Sequence, residues 1–308
     1  MTQTLEITWR SWAMIAILGV TWGATFMVTE IALRGITPYW LAALRISFAT
    51  ILMIPIWQLR CRVLFEGPVT AQIWRAVIVI GLLSSALPFM LLAWGQQYVT
   101  SGFAGVSMAA VTLIVVPMAH FLIPGEAMTL RRTIGFLIGF IGVCLLIGGQ
   151  AFDTSGSELE WAGRLACLAA AGCYGASSVM MRRLPKVDPV GLSTVLLIIA
   201  APIVVGIAVL QEGPPPLPDM QTLVVIAFLG LVPTAAANLL RVLVVRSAGP
   251  VFMSLTNYQV PIWSVLLGAW LLNEPLPGSL MIALTLILAG VCLSQWGGLV
   301  RLFRRQLK

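Results

Sequence analysis

The chain has 308 residues, of which 59% are hydrophobic and only 9% charged. A soluble domain carries about 25% charged residues and could not hide so much apolar surface, so lipid is the solvent for most of this chain. The net charge of +7 does not mark a nucleic-acid binder, because the basic residues sit in small groups between apolar runs rather than in one patch.

Crossing about 30 Å of hydrocarbon takes about 20 apolar residues. The hydropathy predicts ten spans, at 11–30, 38–58, 73–94, 101–122, 132–151, 161–181, 190–210, 221–244, 249–272 and 277–297. The first run is long enough to span and lacks a small-residue cleavage site, so it reads as a retained span rather than a signal peptide. Turn residues punctuate the breaks: Gly35 to Pro38, Glu66-Gly67-Pro68, Pro124-Gly125-Glu126, Gly213 to Pro216, and Asn273-Glu274-Pro275.

Orientation follows from Lys and Arg. With ten spans, Arg10, Arg60, Arg62, Arg75, Arg131, Arg132, Arg182, Arg183, Lys186, Arg246, Arg301, Arg304, Arg305 and Lys308 share one side, against Arg34 and Arg164 on the other. The bias predicts a multi-pass inner-membrane protein with both termini in the cytoplasm. Of the five cysteines, Cys61 falls in a cytoplasmic loop, and Cys144, Cys167, Cys173 and Cys292 fall in apolar segments without a CxxC pair. Core packing, not a disulfide framework, is their expected use.

The two halves of the chain match in register. Trp22-Gly23-Ala24-Thr25 parallels Tyr174-Gly175-Ala176-Ser177, and Pro38 parallels Pro189. Pro88 parallels Pro233, Ala104-Gly105 parallels Ala248-Gly249, and Pro117 parallels Pro261. Glu126 parallels Glu274, and Gly142 parallels Gly290. The offset stays between 144 and 152 throughout. Each half holds five spans, an odd number, so the second enters the membrane from the opposite side. The expected fold is therefore all-α and integral to the membrane: ten transmembrane helices as two inverted five-helix repeats around a central cavity. Residues 1–151 form the first repeat, 158–297 the second, and 298–308 a basic cytoplasmic tail. Such repeats suit alternating access, since exchanging the conformations of the halves exchanges the open side.

These paired features resemble the drug/metabolite transporter superfamily, and within it the ten-helix EamA-like exporters. Trp22-Gly23, Pro38 with Leu44-Arg45, Pro261 with Leu272-Asn273-Glu274, and the Gly290 helix carry the resemblance, over roughly residues 11 to 297. One departure is that Pro117 lies nine residues before Glu126, whereas Pro261 lies thirteen before Glu274. The resemblance implies a basket-like bundle and export of amino acids or other small metabolites.

Polar groups at membrane depth are costly and invite functional readings. Arg45 is a candidate anion or carboxylate contact, with helix-end carbonyls or snorkelling as its structural alternative. Thr256, Asn257, Tyr258 and Gln259 form the densest polar run, followed by Pro261, which cannot donate to the carbonyl of Asn257, and by Trp263. Asn257, Tyr258, Gln259 and Trp263 are candidate cavity residues, against plain helix-to-helix hydrogen bonding. Thr234, Asn238 and Arg241 share one face, with Asn238 favoured as a cavity residue over Arg241. Trp22, Thr25, Tyr174 and Ser177 offer aromatic walls with sparse hydroxyls that suit an amphipathic substrate, or else tight contacts beside Gly23 and Gly175. Glu30 and His120 are candidates for coupling to a proton gradient. The GxxxG spacings Gly19/Gly23 and Gly135/Gly139 are expected to pack within the bundle. No cofactor or metal is expected, and the partners are a small-molecule substrate and the bilayer. An enzyme is the first rival, but no HExxH, GxSxG or Walker loop occurs. A channel or scramblase is the second, and no charged ring or carbonyl filter is evident.

Overall fold

A computed structural model of the chain describes residues 7–60, 63–123, 128–149 and 158–306. Cys61 and the Pro124-Gly125-Glu126 turn lie outside the described residues. The described chain folds into ten long helical segments: α1 Trp9–Leu33, α2 Pro38–Arg60, α3 Ala71–Gly95, α4 Ser101–Leu122, α5 Leu130–Gly149, α6 Glu160–Arg182, α7 Pro189–Glu212, α8 Met220–Ala248, α9 Thr256–Leu272 and α10 Gly278–Gln306. Eight of them are long and apolar enough to cross a membrane. The other two are α6, which carries Glu160, Arg164 and Arg182, and α9, which has 17 residues. Arg164 is only 2% exposed, pairs with Glu160, and donates from Nη1 to the carbonyl of Ile147 at 2.6 Å. Two of the charges that lower the hydropathy of α6, Glu160 and Arg164, thus pair with each other inside the protein, while Arg182 is exposed at the end of the helix.

Helix ends follow local chemistry. Thr100 accepts a hydrogen bond from Phe103 N–H, Asp188 from Gly191 N–H and Asp219 from Thr222 N–H, capping α4, α7 and α8. α7 stops at Gly213, with φ of 80°, and α9 stops at Asn273, which is left-handed with φ of 56°. Span nine is broken at its start. A single turn, Pro250–Met253, precedes the helix proper, where the sequence predicts one continuous span from 249. α10 runs on through Gln306.

One end of the bundle gathers Gly35, Ser101, Glu212 and Glu274, and is called the acidic end. The other gathers Arg10, Glu66, Asp188, Lys186 and Arg246, and is called the basic end. At the basic end, Asp188 N–H donates to Leu64 O at 2.9 Å, beside an isolated bridge between Phe65 and Val187.

Glycines set the closest helix approaches. A Cβ at Gly290 would lie 2.5 Å from Gly135 O, and one at Gly139 would meet Leu113 Cδ2 at the same distance. α5 therefore packs on α10 almost backbone to backbone. A Cβ at Gly19 would meet Gln259, and one at Gly23 would meet Trp263 and the carbonyl of Val260. Both GxxxG spacings pack within the bundle, against α9 and α10. The side chains left exposed on the helices are largely apolar, among them Leu137, Phe140 and Ile141 on α5 and Leu266 and Trp270 on α9. That is the surface expected of a protein solvated by lipid.

Candidate substrate site

Both α3 and α8 contain a π-helical turn, at Leu82–Ala86 and Gly230–Ala236. Pro88 follows the first and Pro233 lies inside the second, the pair that the sequence matches between halves. Proline withholds an N–H and disturbs the regular ladder, which the wider turn absorbs. π-bulges occur frequently at functional sites.

The turn in α8 is held by its neighbours. Trp22 Nε1 on α1 donates to Pro233 O at 3.0 Å. Thr234 Oγ1 donates to Leu229 O at 2.8 Å and accepts from Arg45 Nε on α2 at 2.9 Å. Asn238 Nδ2 donates to Thr234 O. Gly230 permits the approach, since a Cβ there would lie 2.6 Å from Arg45 O. The guanidinium of Arg45 stands 4.3 Å from the ring centroid of Phe89, one residue beyond Pro88 on α3. Tyr174 of α6 is close enough to interact with Arg45 electrostatically. Five helices thus converge on one buried cation, 9% exposed, and among the described residues no carboxylate pairs with it.

Trp22, Arg45, Tyr174 and Asn238 therefore come together, with Thr234 and Phe89 completing the group. Thr25 and Ser177 do not offer free hydroxyl protons, because each donates to its own helix, at Thr21 O and Tyr174 O. Gln259 and Trp263 press on Gly19 and Gly23 of α1. The Tyr258 hydroxyl is buried without a partner, and its ring packs against the apolar cluster centred on Phe103, Cys167 and Ile287. Asn257 is exposed, although it lies seven residues from the fully buried Ser264 on one face of α9. Arg241 is likewise exposed, seven residues from buried Thr234.

The coupling candidates lie at opposite ends. His120 Nδ1 accepts from Met128 N–H at 3.3 Å near the basic end. Glu30 lies at the acidic end, 3.9 Å from Arg34. At that end Glu212 accepts from Thr37 Oγ1 and from the N–H groups of Tyr39 and Trp40, capping α2. Glu274 does the same for α4 through Ser101 and Gly102 N–H. These two carboxylates are the residues that sequence reasoning missed as structural clasps. Their only local signal is an acidic residue at a span end, followed within one to three residues by glycine or proline. Among the described residues no group of His, Cys, Asp and Glu could hold a metal ion. A separate groove of about 500 Å³ between α2, α3, α6 and α7, lined mainly by apolar residues such as Met90, Trp94 and Leu165, touches none of the site residues.

The model of the EamA-like transporter family matches residues 10–148 and 161–296. The chain belongs to the EamA-like transporter family. It is 22% identical over 282 residues to the uncharacterized transporter YoaV of Bacillus subtilis, covering 90% of this chain and 94% of that one. It is 26% identical over 283 residues to the uncharacterized inner membrane transporter YedA of Escherichia coli K12, covering 91% and 89%. A crystal structure superposes with a TM-score of 0.66 over 94% of this chain and 98% of its own, at 20% identity, a likeness of fold alone. This EamA-like chain is thus a multi-pass membrane transporter.

Proposed function

We propose that this EamA-like transporter exports a small metabolite bearing an anionic group, such as an amino acid or related amphipathic compound, by alternating access across the inner membrane. The observation that carries this reading is Arg45. A buried cation without a carboxylate is costly at membrane depth, and a substrate anion would complete it. Phe89, Tyr174 and Trp22 supply apolar walls around it, as an amphipathic solute needs.

Two further observations support alternation between halves. Family similarity falls on two stretches of nearly equal length, residues 10–148 and 161–296, and the π turns of α3 and α8 occupy matched positions. Exposed Asn257, two turns from buried Ser264 on one face of α9, suits a cleft between α4 and α9 that opens toward the basic end and closes toward the acidic end. The Lys and Arg bias makes the basic end cytoplasmic, with both termini there. Substrate would then enter from the cytoplasm and leave at the acidic end, driven by exchange or by the proton gradient.

The test is counterflow in proteoliposomes preloaded with single amino acids, organic acids, nucleosides or sugars. Saturable exchange of an anionic or zwitterionic solute, lost in R45Q, is expected. Equal exchange of neutral sugars by wild type and R45Q would overturn the anion site, and non-saturable flux would overturn the carrier.

A further inference from the structure

Glu274 follows the left-handed end of α9 and reaches across to α4. Its two oxygens accept from Ser101 N–H at 2.9 Å and Gly102 N–H at 3.0 Å. Phe26 of α1 packs at Gly105 of α4, where an added Cβ would lie 3.3 Å from its ring, so Glu30 and Ser101, each one turn further toward the acidic end, face each other and bring Glu30 to the carboxyl group of Glu274. A carboxylate oxygen accepts but cannot donate, so two carboxyl groups in contact need a proton between them. Glu30 Oε2 is buried without a hydrogen-bond partner, and the backbone donor that reaches the Glu30 carboxyl, Ser101 N–H, also serves Glu274.

A second observation points at the same spot. Ser101 is 0% exposed, and its hydroxyl has no partner. It stands in the cluster: a Cβ at Gly268 would lie 2.7 Å from Ser101 Oγ and 2.5 Å from Glu274 Oε2. The oxygens of Glu30, Glu274 and Ser101 therefore lie together, and Ser101 O–H brings one donor, which does not supply the proton that two carboxyl groups in contact need between them. The charged group facing the pair is Arg34, 3.9 Å from Glu30 Oε1 and itself 65% exposed. α4 contributes backbone amides and hydroxyls there, and α9 contributes Glu274 and Gly268.

We propose that Glu30 and Glu274 bind one proton between them, and that this proton latches the acidic ends of α1, α4 and α9 together. With the proton in place, Glu274 is free to cap α4 while Glu30 donates to it. When the proton leaves, two like charges face each other and the closure loosens. Glu30 is 27% exposed on its side chain, so water can deliver and remove the proton. Opening releases one proton, so the closed-to-open ratio falls about tenfold per pH unit once the pair must give it up. The latch deepens the coupling part of the transport reading, yet its test needs no substrate.

The test uses the purified full chain in detergent. Infrared difference spectra between acid and alkaline buffers should show a protonated-carboxyl band that disappears on alkalinisation and is missing from both E30Q and E274Q. Hydrogen exchange at the Ser101 and Gly102 amides, corrected for intrinsic rate, should lose protection with pH in wild type. E30Q keeps a permanent donor to Glu274 and should hold the protection flat. E30A should also be flat, at lower protection. A wild type with no such band, or an E30Q whose protection slope equals that of wild type, overturns the latch. Counterflow in the same preparation separates the two readings: a lost latch with intact exchange leaves the transporter standing, and the converse leaves the latch.

Discussion

Ser264 Oγ donates to the carbonyl of Ser101 at 2.8 Å, sealing α9 against α4, while Asn257 two turns away on the same face of α9 is exposed. The two helices touch through Gly102, Gly105 and Gly268 near the acidic end, where small residues let the backbones meet. A membrane-impermeant thiol reagent added at the basic end should modify N257C and leave S264C untouched, in a background stripped of native cysteines. Mass spectrometry of the intact protein reads the difference. Equal modification of both positions would mean that no cleft separates these helices.

Arg45 should divide binding from folding. R45M replaces the cation by a chain of similar length that needs no counter-ion, and such exchanges of buried charge for apolar volume are often neutral or stabilising. The melting temperature of R45M should match or exceed that of wild type, while exchange of anionic solutes should drop about tenfold or more, the worth of one charged hydrogen bond. R45K should recover part of the exchange, lacking the planar fork.

Trp22 serves the π turn of α8 through a single hydrogen bond to Pro233 O. W22F keeps an aromatic ring, though a smaller one than the indole, and loses the donor, leaving a partly buried carbonyl unpaired. The expected cost is about 1 kcal/mol, read as a lower midpoint in chemical or thermal unfolding. W22L, which also loses aromatic area, should cost more.

Gly290 tolerates no side chain without movement, because its Cβ would lie 2.4 Å from Gly139 N and 2.5 Å from Gly135 O. G290A should cost about 1–3 kcal/mol by forcing α10 away from α5. Gly278, whose added Cβ meets nothing within 4 Å, is the matched control. G278A should melt with wild type.

Asp219 caps α8, accepting from Thr222 N–H at 2.6 Å, and these hydrogen bonds hold its carboxyl below the usual carboxylate range. A lowered folded-state value means that the stabilisation is present above the unfolded value and is lost as pH falls through the folded one. The melting temperatures of wild type and D219A should therefore differ at neutral pH and converge in acid. D219N, which still caps but does not titrate, should lack that convergence.

Hydropathy and turn chemistry located eight of the ten spans to within four residues at each end, because both are local properties, whereas α9 begins at Thr256 rather than at 249 and α10 runs on to Gln306 rather than stopping at 297. Pro88 and Pro233 marked the two disturbed helices, although nothing local distinguishes a π turn from a kink. The glycine pairs Gly19/Gly23 and Gly135/Gly139 pointed to close packing but not to their partners. What stayed hidden were pairings across long stretches of chain. Arg45 and Thr234 are 189 residues apart, and Glu212 caps a helix 172 residues upstream. Thr25 and Ser177 resembled site hydroxyls because spacing places them on the right helices but does not say that each bonds to its own backbone.

The union of α5 with α10 has a consequence for how the protein is made. α5 presents Gly135, Gly139 and Gly142 to a helix that begins at Gly278, so its deepest contacts await a segment translated only after α6 to α9. Until then those glycine faces meet only acyl chains or a placeholder such as an insertase. A nascent chain stalled before Gly278 would therefore sit in the bilayer with its first half laid out but unfastened, and be open to quality-control proteolysis.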